Sequence, residues 1–171
     1  KVYTASLTYS GVTGTLVTEV DSEEELKAAV AAGGYVKLAG DVTLTESINI
    51  AEDNRVVLDL NEHTLTFENN TVSAGAYAFR NYGYMEIING TFNAQGNYFA
   101  LCLYDEGEAV VNANMKSTNS NVIKVDNGGK LTVNGGKYVS EANPTGQAVR
   151  VGNWQTGKAS AWKLYINGGE F

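Results

Sequence analysis

Three cations and a thiol recur at equivalent places in this chain. Arg80, Cys102, Lys124 and Arg150 each follow an apolar residue, namely Phe79, Leu101, Ile123 and Val149, at steps of 22, 22 and 26 residues. Two positions further on stand Tyr82, Tyr104, Asp126 and Gly152. If the apolar members face a core, their neighbours face outward and form a strip of cations and aromatic rings. Such a strip can hold a glycan, with Asp105, Glu106 and Asp126 adding carboxylates near Lys124 and Arg150. The plainer alternative is a solvated ladder in which the cations pair with nearby acids, each pair contributing about 0–1 kcal/mol. Cys102 is the only cysteine and has no aligned histidine to act as its base, so it is a poor nucleophile. His63 is the only histidine, and its expected role is to bond backbone in its own turn. No CxxC, HExxH, P-loop or EF-hand spacing occurs, so no catalytic residue, metal ligand or cofactor is assigned.

A second candidate lies in NWQTGKASAW, residues 153–162, which holds both tryptophans. Val149 to Asn167 spans 18 residues where the two preceding repeats use 11. Loops that break a repeat carry specific contacts, so Trp154 and Trp162 are candidates to stack on a sugar face, with Gln155 and Lys158 supplying hydrogen bonds. The alternative is that a tryptophan folds back over the flank of the repeat.

The elements that position these residues repeat as well. INGGEF at 166–171 echoes VNGGKY at 133–138 and INGTF at 88–92. Aligning the asparagines gives Asn61, Asn89, Asn112, Asn134 and Asn167, preceded by Leu60, Ile88, Val111, Val133 and Ile166. Residues before each asparagine alternate with a period of two, the mark of a strand buried on one face. Glu86 breaks that alternation and predicts a local bulge. A second family of strands, at 77–81, 99–103, 121–125 and 147–151, repeats in step with the first. A period near 22 residues is too short for a propeller blade and lacks the helices of ankyrin or TPR units. It fits the coils of a single-stranded right-handed parallel β-helix, stacked about 4.8 Å apart, with the asparagines as a structural ladder. A β-sandwich also has closely spaced strands, but it does not need one asparagine in five successive turns.

Stacked like charges are costly, which accounts for the 18% content of charged residues. The net charge of −7 argues against nucleic acid and anionic membranes as partners. No apolar run reaches the ~20 residues of a membrane span. The chain opens at Lys1, which is expected of a processed product or an excised piece.

Residues 1–20 read as N-terminal strands or an attachment segment, 21–32 as a capping helix, and 33–171 as the β-helix. Ser22 and Glu25 form a capping box, Leu26 and Val30 an apolar stripe, and Gly33 a stop. Such a helix covers strand edges that would otherwise template aggregation. The C-terminal coil has no comparable device, so either the solenoid continues or another chain covers it.

The stretch DSEEELKAAVAAGGYVKLAGDVTLTESINI, followed by RVVLDLNEHTLTF, resembles the opening of right-handed β-helices of the pectate-lyase-like superfamily, as found in bacterial cell-surface and phage virion proteins. Gly33-Gly34 and Leu58-Asp59-Leu60-Asn61 match the pattern, Glu62 departs from it, and His63-Thr64-Leu65 follow it. The resemblance covers about residues 21–171, although only this opening is distinctive. It implies an extracellular solenoid and little about activity. The GHG turn, aspartate cluster and RxK of polygalacturonase-type relatives are missing. The reading is therefore a non-enzymatic module, an adhesin or rigid spacer with weak glycan contact, or a virion component. The alternative is a pectate-lyase-like enzyme acting on acidic glycans, the one case that would call for Ca²⁺. The expected partner is a glycan, or another protein chain at the open C-terminal end.

Overall fold

In a computed structural model, which describes residues 2–9, 12–68, 76–96, 98–142, 144–152 and 161–171, the alternating segments become short strands that wind into coils. Strands β1 (Val2–Tyr9) and β2 (Val12–Val20) pair antiparallel, and helix α1 (Glu23–Ala32) follows. The first coil consists of β3 (Gly34–Leu38), β4 (Val42–Leu44) and β5 (Ile48–Ile50). The second is β6 (Arg55–Asp59), β7 (Thr64–Glu68) and β8 (Ala76–Asn81). In the next two coils one long strand bends round a corner. Thus β9 (Tyr84–Gln95) leads to β10 (Tyr98–Leu103), and β11 (Glu108–Ser117) to β12 (Ile123–Val125). Strands β13 (Lys130–Gly135), β14 (Tyr138–Ser140) and β15 (Val149–Val151) form the next coil, and β16 (Lys163–Ile166) opens another. Pairing between successive coils is parallel, and the fold is an all-β parallel solenoid of about five turns with one short helix.

Inside, side chains stack in columns along the axis. One runs Val36, Leu58, Ile87, Val111, Val133, Ile166, and another Ile48, Phe79, Leu101, Ile123, Val149. A third is Val42, Leu65, Phe92, Met115, Tyr138. Most of these side chains are fully buried, each worth about 1.5–3 kcal/mol of transfer free energy. At the last coil Val149 is half-buried and Ile166 is 52% exposed.

The other end is covered. Helix α1 buries Leu26, Ala29 and Val30 against the first coil. Ser22 caps it by accepting from the Glu25 amide, and Gly33 closes it at φ 78°. The Glu25 carboxylate accepts from the Asp21 amide at 3.2 Å, so the return leg of the capping box reaches one residue beyond Ser22. Glu23 pins the helix to the coil by accepting from the Thr45 amide at 2.8 Å, the Thr45 hydroxyl at 2.9 Å and the Glu46 amide at 3.0 Å. Lys27 pairs with Glu46. Strands β1 and β2 flank this cap, because β2 pairs with β3 and extends the same sheet.

The asparagine register needs a correction. Ile87, not Ile88, stands opposite Val111, and Asp59, not Leu60, stands opposite Ile88. At this corner β9 inserts Asn89-Gly90 where β11 has Ala113 alone, and Asn89 takes φ 57°. The extra residue displaces the alignment by one. No register shift occurs at Glu86, which pairs with Val57 and Val110 on the outer face of the sheet and is nevertheless wholly buried, accepting from the Tyr84 hydroxyl. The asparagines also bond differently from a continuous ladder. Asn167 donates to Asn134 side chain to side chain at 2.9 Å, whereas Asn61 donates to the Leu38 carbonyl and Asn89 to Asp59.

Candidate functional site

The cation column is in register: Arg80, Cys102, Lys124 and Arg150 are paired residue on residue. Its exposure differs from the sequence expectation. Arg80 is half-buried and Arg150 exposed, but Cys102 and Lys124 are buried. The cause is a bulge. The amides of Ala100 and Leu101 both donate to the Val122 carbonyl, at 3.0 and 3.4 Å, and Ala78 and Ala100 take places in the core. Tyr77 and Phe99 are thereby turned out of the core, with ring centroids 5.0 Å apart. With Tyr104, set edge-on to Tyr77 at 5.6 Å, they roof the middle of the column.

Beneath that roof Lys124 lies 2.8 Å from Asp126, with its ammonium 5.9 and 5.8 Å from the Tyr77 and Tyr104 ring centroids. Burial pushes the Cys102 thiol up to about 12, despite the Lys124 charge beside it. The thiol therefore stays protonated and is no nucleophile. Tyr104 is likewise raised above its ordinary value, first by burial and then by its hydrogen bond with Tyr77. Of the proposed strip, Arg150, Tyr82 and Tyr104 keep solvent contact, and Arg80 keeps part of it, 5.7 Å from the Tyr77 ring. Trp162 is 46% exposed, while Trp154, Gln155 and Lys158 lie outside the described residues. His63 closes its turn through its backbone amide to the Leu60 carbonyl at 2.8 Å. Its side chain faces Asp41, with Nδ1 at 3.6 Å, instead of the expected backbone partner.

Tyr82 and Tyr104 open the corner that joins the third strand of one coil to the first strand of the next. Four residues make that corner after Ile50 (51–54), after Leu103 (104–107) and after Val125 (126–129). After Asn81 there are two, Tyr82 and Gly83. The register on either side stays intact, since Ile50 pairs with Asn81 and Arg55 with Tyr84. The short corner therefore leaves a notch between two longer ones. It has a volume of about 350 Å³, at the lower end of the range for ligand pockets.

Tyr82 stacks on Tyr104 at 5.5 Å and 19° beside the notch, and Arg55 lies 4.0 Å over the Tyr84 ring within it. Glu52 and Asp53 stand on one wall and Asp105 and Glu106 on the other, all exposed. The backbone fixes the corner tightly. A Cβ on Gly83 would meet the Ala51 carbonyl oxygen at 2.1 Å, and one on Gly107 would meet that of Asn81 at 2.1 Å. Asn81, wholly buried, donates to the Glu108 carbonyl at 2.8 Å and accepts from the Gly83 amide at 3.0 Å.

No protein-family model, curated protein or solved structure matches the chain. Its class rests on the architecture, a parallel β-solenoid. Among the described residues no group of three or more His, Cys, Asp or Glu side chains is placed to hold a metal ion, and no helix is long and apolar enough to cross a membrane.

Proposed function

We propose that this chain is a non-enzymatic module of an extracellular surface protein or a virion component, built like the right-handed helices of the pectate-lyase-like superfamily. It serves as a stiff spacer that touches glycans at the Tyr82–Tyr104 corner. The observation that carries this reading is the stacked tyrosine pair beside a notch on a continuously packed rod. Flat aromatic surface at the edge of a shallow cleft is what a sugar ring packs on, while the stacked columns supply rigidity. The alternative, a lyase for acidic polysaccharide, needs an exposed basic group to abstract a proton. Lys124 is withdrawn from that role by its burial against Asp126, which leaves Arg150 as the exposed basic group of the column.

A glycan array read by intrinsic fluorescence tests the reading. Binding is expected to at least one saccharide, and Tyr82→Ala is expected to remove it while the fold is retained by circular dichroism. An array that stays blank, or binding indifferent to Tyr82, would sink it.

A further inference from the structure

The edges of the two sheets are protected unequally. The strands that end them are β1 and β16 in one sheet and β5 and β15 in the other. Strand β5 is three residues long and lies against helix α1. Strand β15 has Arg150 at its centre, and β16 begins on Lys163. Short length, a covering helix and an edge cation all discourage a further strand from pairing. Strand β1, VYTASLTY, is eight residues long with no charge, proline or glycine, and among the described residues it pairs only with β2. Val2, Tyr3, Thr4, Thr8 and Tyr9 are β-branched or aromatic, types that favour a paired strand. Its one irregularity is a bulge between Thr4 and Leu7, with regular pairing on either side.

The absence of charge extends beyond β1. No Asp, Glu, Lys or Arg occurs between Lys1 and Glu19, whereas the whole chain has 19 acidic and 12 basic residues and a net charge of −7. Copies of such a chain repel one another over most of their surface, and residues 2–18 are a stretch where they can meet without that cost. An uncharged edge gives a foreign strand little to select on, while a second copy presents the same length of unpaired backbone. Antiparallel pairing about a two-fold axis uses the same strand from both chains and closes after two. Pairing of β1 with β16 of a further copy would place Lys163 in the junction and leave new edges at both ends.

On these grounds we infer that β1 is a self-association surface, on which β1 of one copy pairs antiparallel with β1 of a second and joins two solenoids in one sheet. The last coil stays outside this junction, because β16 ends the opposite side of the sheet.

Sedimentation velocity of the intact chain from about 1 to 100 µM is the test, with hydrogen exchange of residues 2–9 followed over the same range. A discrete dimer is expected, and exchange in β1 should slow as it forms. Thr4→Lys/Thr8→Lys and Thr4→Glu/Thr8→Glu should each raise the dissociation constant roughly tenfold or more, by setting like charges across the junction. Mixing the two variants should restore the dimer, and salt should weaken the restored pair. A monomer throughout the range would overturn the inference. So would a dimer indifferent to both substitutions, or exchange in β1 that does not change with concentration in the parent chain, since either places the contact elsewhere. An open-ended series of larger species would overturn it in favour of β1 pairing with β16.

Discussion

Two corners of the solenoid are made from the same residue types, asparagine and glycine, and carry different loads. The first, after β6 and within β9, β11 and β13, displays Asn89, Asn112 and Asn134 in exposed positions, and Asn61 and Asn89 adopt positive φ. The second, between each coil and the next, hides Asn81 and the backbone of Gly83, Gly107 and Gly129. At the first corner Asn61 and Asn89 serve because they tolerate the left-handed conformation, which Asn112 and Asn134 do not adopt. At the second, each coil rests on the last through backbone bonds, from Glu108 to Gly83 at 2.7 Å and from Lys130 to Gly107 at 3.0 Å. The repeated asparagine therefore marks a conformational need at Asn61 and Asn89 alone, while buried load falls on residues such as Asn81 that recur less visibly.

The largest effect is expected where the second corner meets its buried charge. Asp126 opens that corner in the fourth coil, and its partner Lys124 is 3% exposed. Lys124→Met leaves the wholly buried Asp126 without this cation and should cost about 3–5 kcal/mol. Lys124→Met with Asp126→Leu should recover most of that loss, because a volume-matched apolar pair removes both desolvation penalties. Chemical denaturation of the single and double variants measures it. A single variant within 1 kcal/mol of the parent would mean that the aromatic roof opens readily.

A steric effect comes next. Gly107→Ala places a methyl group against the Asn81 carbonyl oxygen, and the corner can yield only by breaking the stack. The expected loss is about 2–3 kcal/mol, read from the same denaturation curves. Gly34→Ala is the matched control for space, since nothing lies within 4 Å of its added carbon, although its φ of 91° brings backbone strain instead.

Helix α1 tests a third region, where a carboxylate closes the end of the rod. Burial alone would raise the Glu23 pKa, but the bonds from Thr45 and Glu46 and the charge of Lys27 outweigh it and hold it below the ordinary 4.5. The folded value is depressed, so this contribution to stability is present above 4.5 and fades as pH falls through the folded value. Glu23→Gln should therefore destabilise the protein near neutrality and converge with the parent in acid. Thermal melts from about pH 7 down to about pH 2 would show the two curves meeting. Parallel curves would mean that the helix is held by Leu26 and Val30 alone.

These contrasts bear on what the residues announce beforehand. The 22-residue period and the alternation of Phe79, Leu101, Ile123 and Val149 were legible, and the structure pairs those residues as the spacing implies. The helix was legible from Ser22, Leu26, Val30 and Gly33 because capping and amphipathic spacing are local properties. The burial of Lys124 was not. It follows from a bulge at Ala100 that turns Tyr77 and Phe99 outward, and parity along a strand misreads every residue beyond such a point. The notch was also missed. Its signal is a length difference between 82–83 and 104–107, visible only when corners instead of strands are compared. Glu86 misled for a related reason. It looked like an inward residue because Asn89 had been matched with Asn112, across a corner that holds one extra residue.

That mismatch sets the smallest expected effect and the sharpest test of the two-corner contrast. A continuous buried asparagine ladder would make Asn112→Leu cost about 1–3 kcal/mol through stranded amides. Asn112 is instead exposed, stands opposite Ile88 on one side and Gly135 on the other, and follows the regular strand of β11. Its side-chain oxygen passes close to Gly135, so a leucine there meets a residue with no side chain to displace. The expected change is within about 0.5 kcal/mol, as for surface positions generally. Asn134→Leu, which removes the 2.9 Å bond from Asn167, should cost slightly more, about 0.5–1 kcal/mol. Denaturation midpoints for the pair, set beside Gly107→Ala, decide the matter. If Asn112→Leu proved as damaging as Gly107→Ala, the first corner would carry load after all, and repetition of the asparagine would reflect stability instead of backbone conformation.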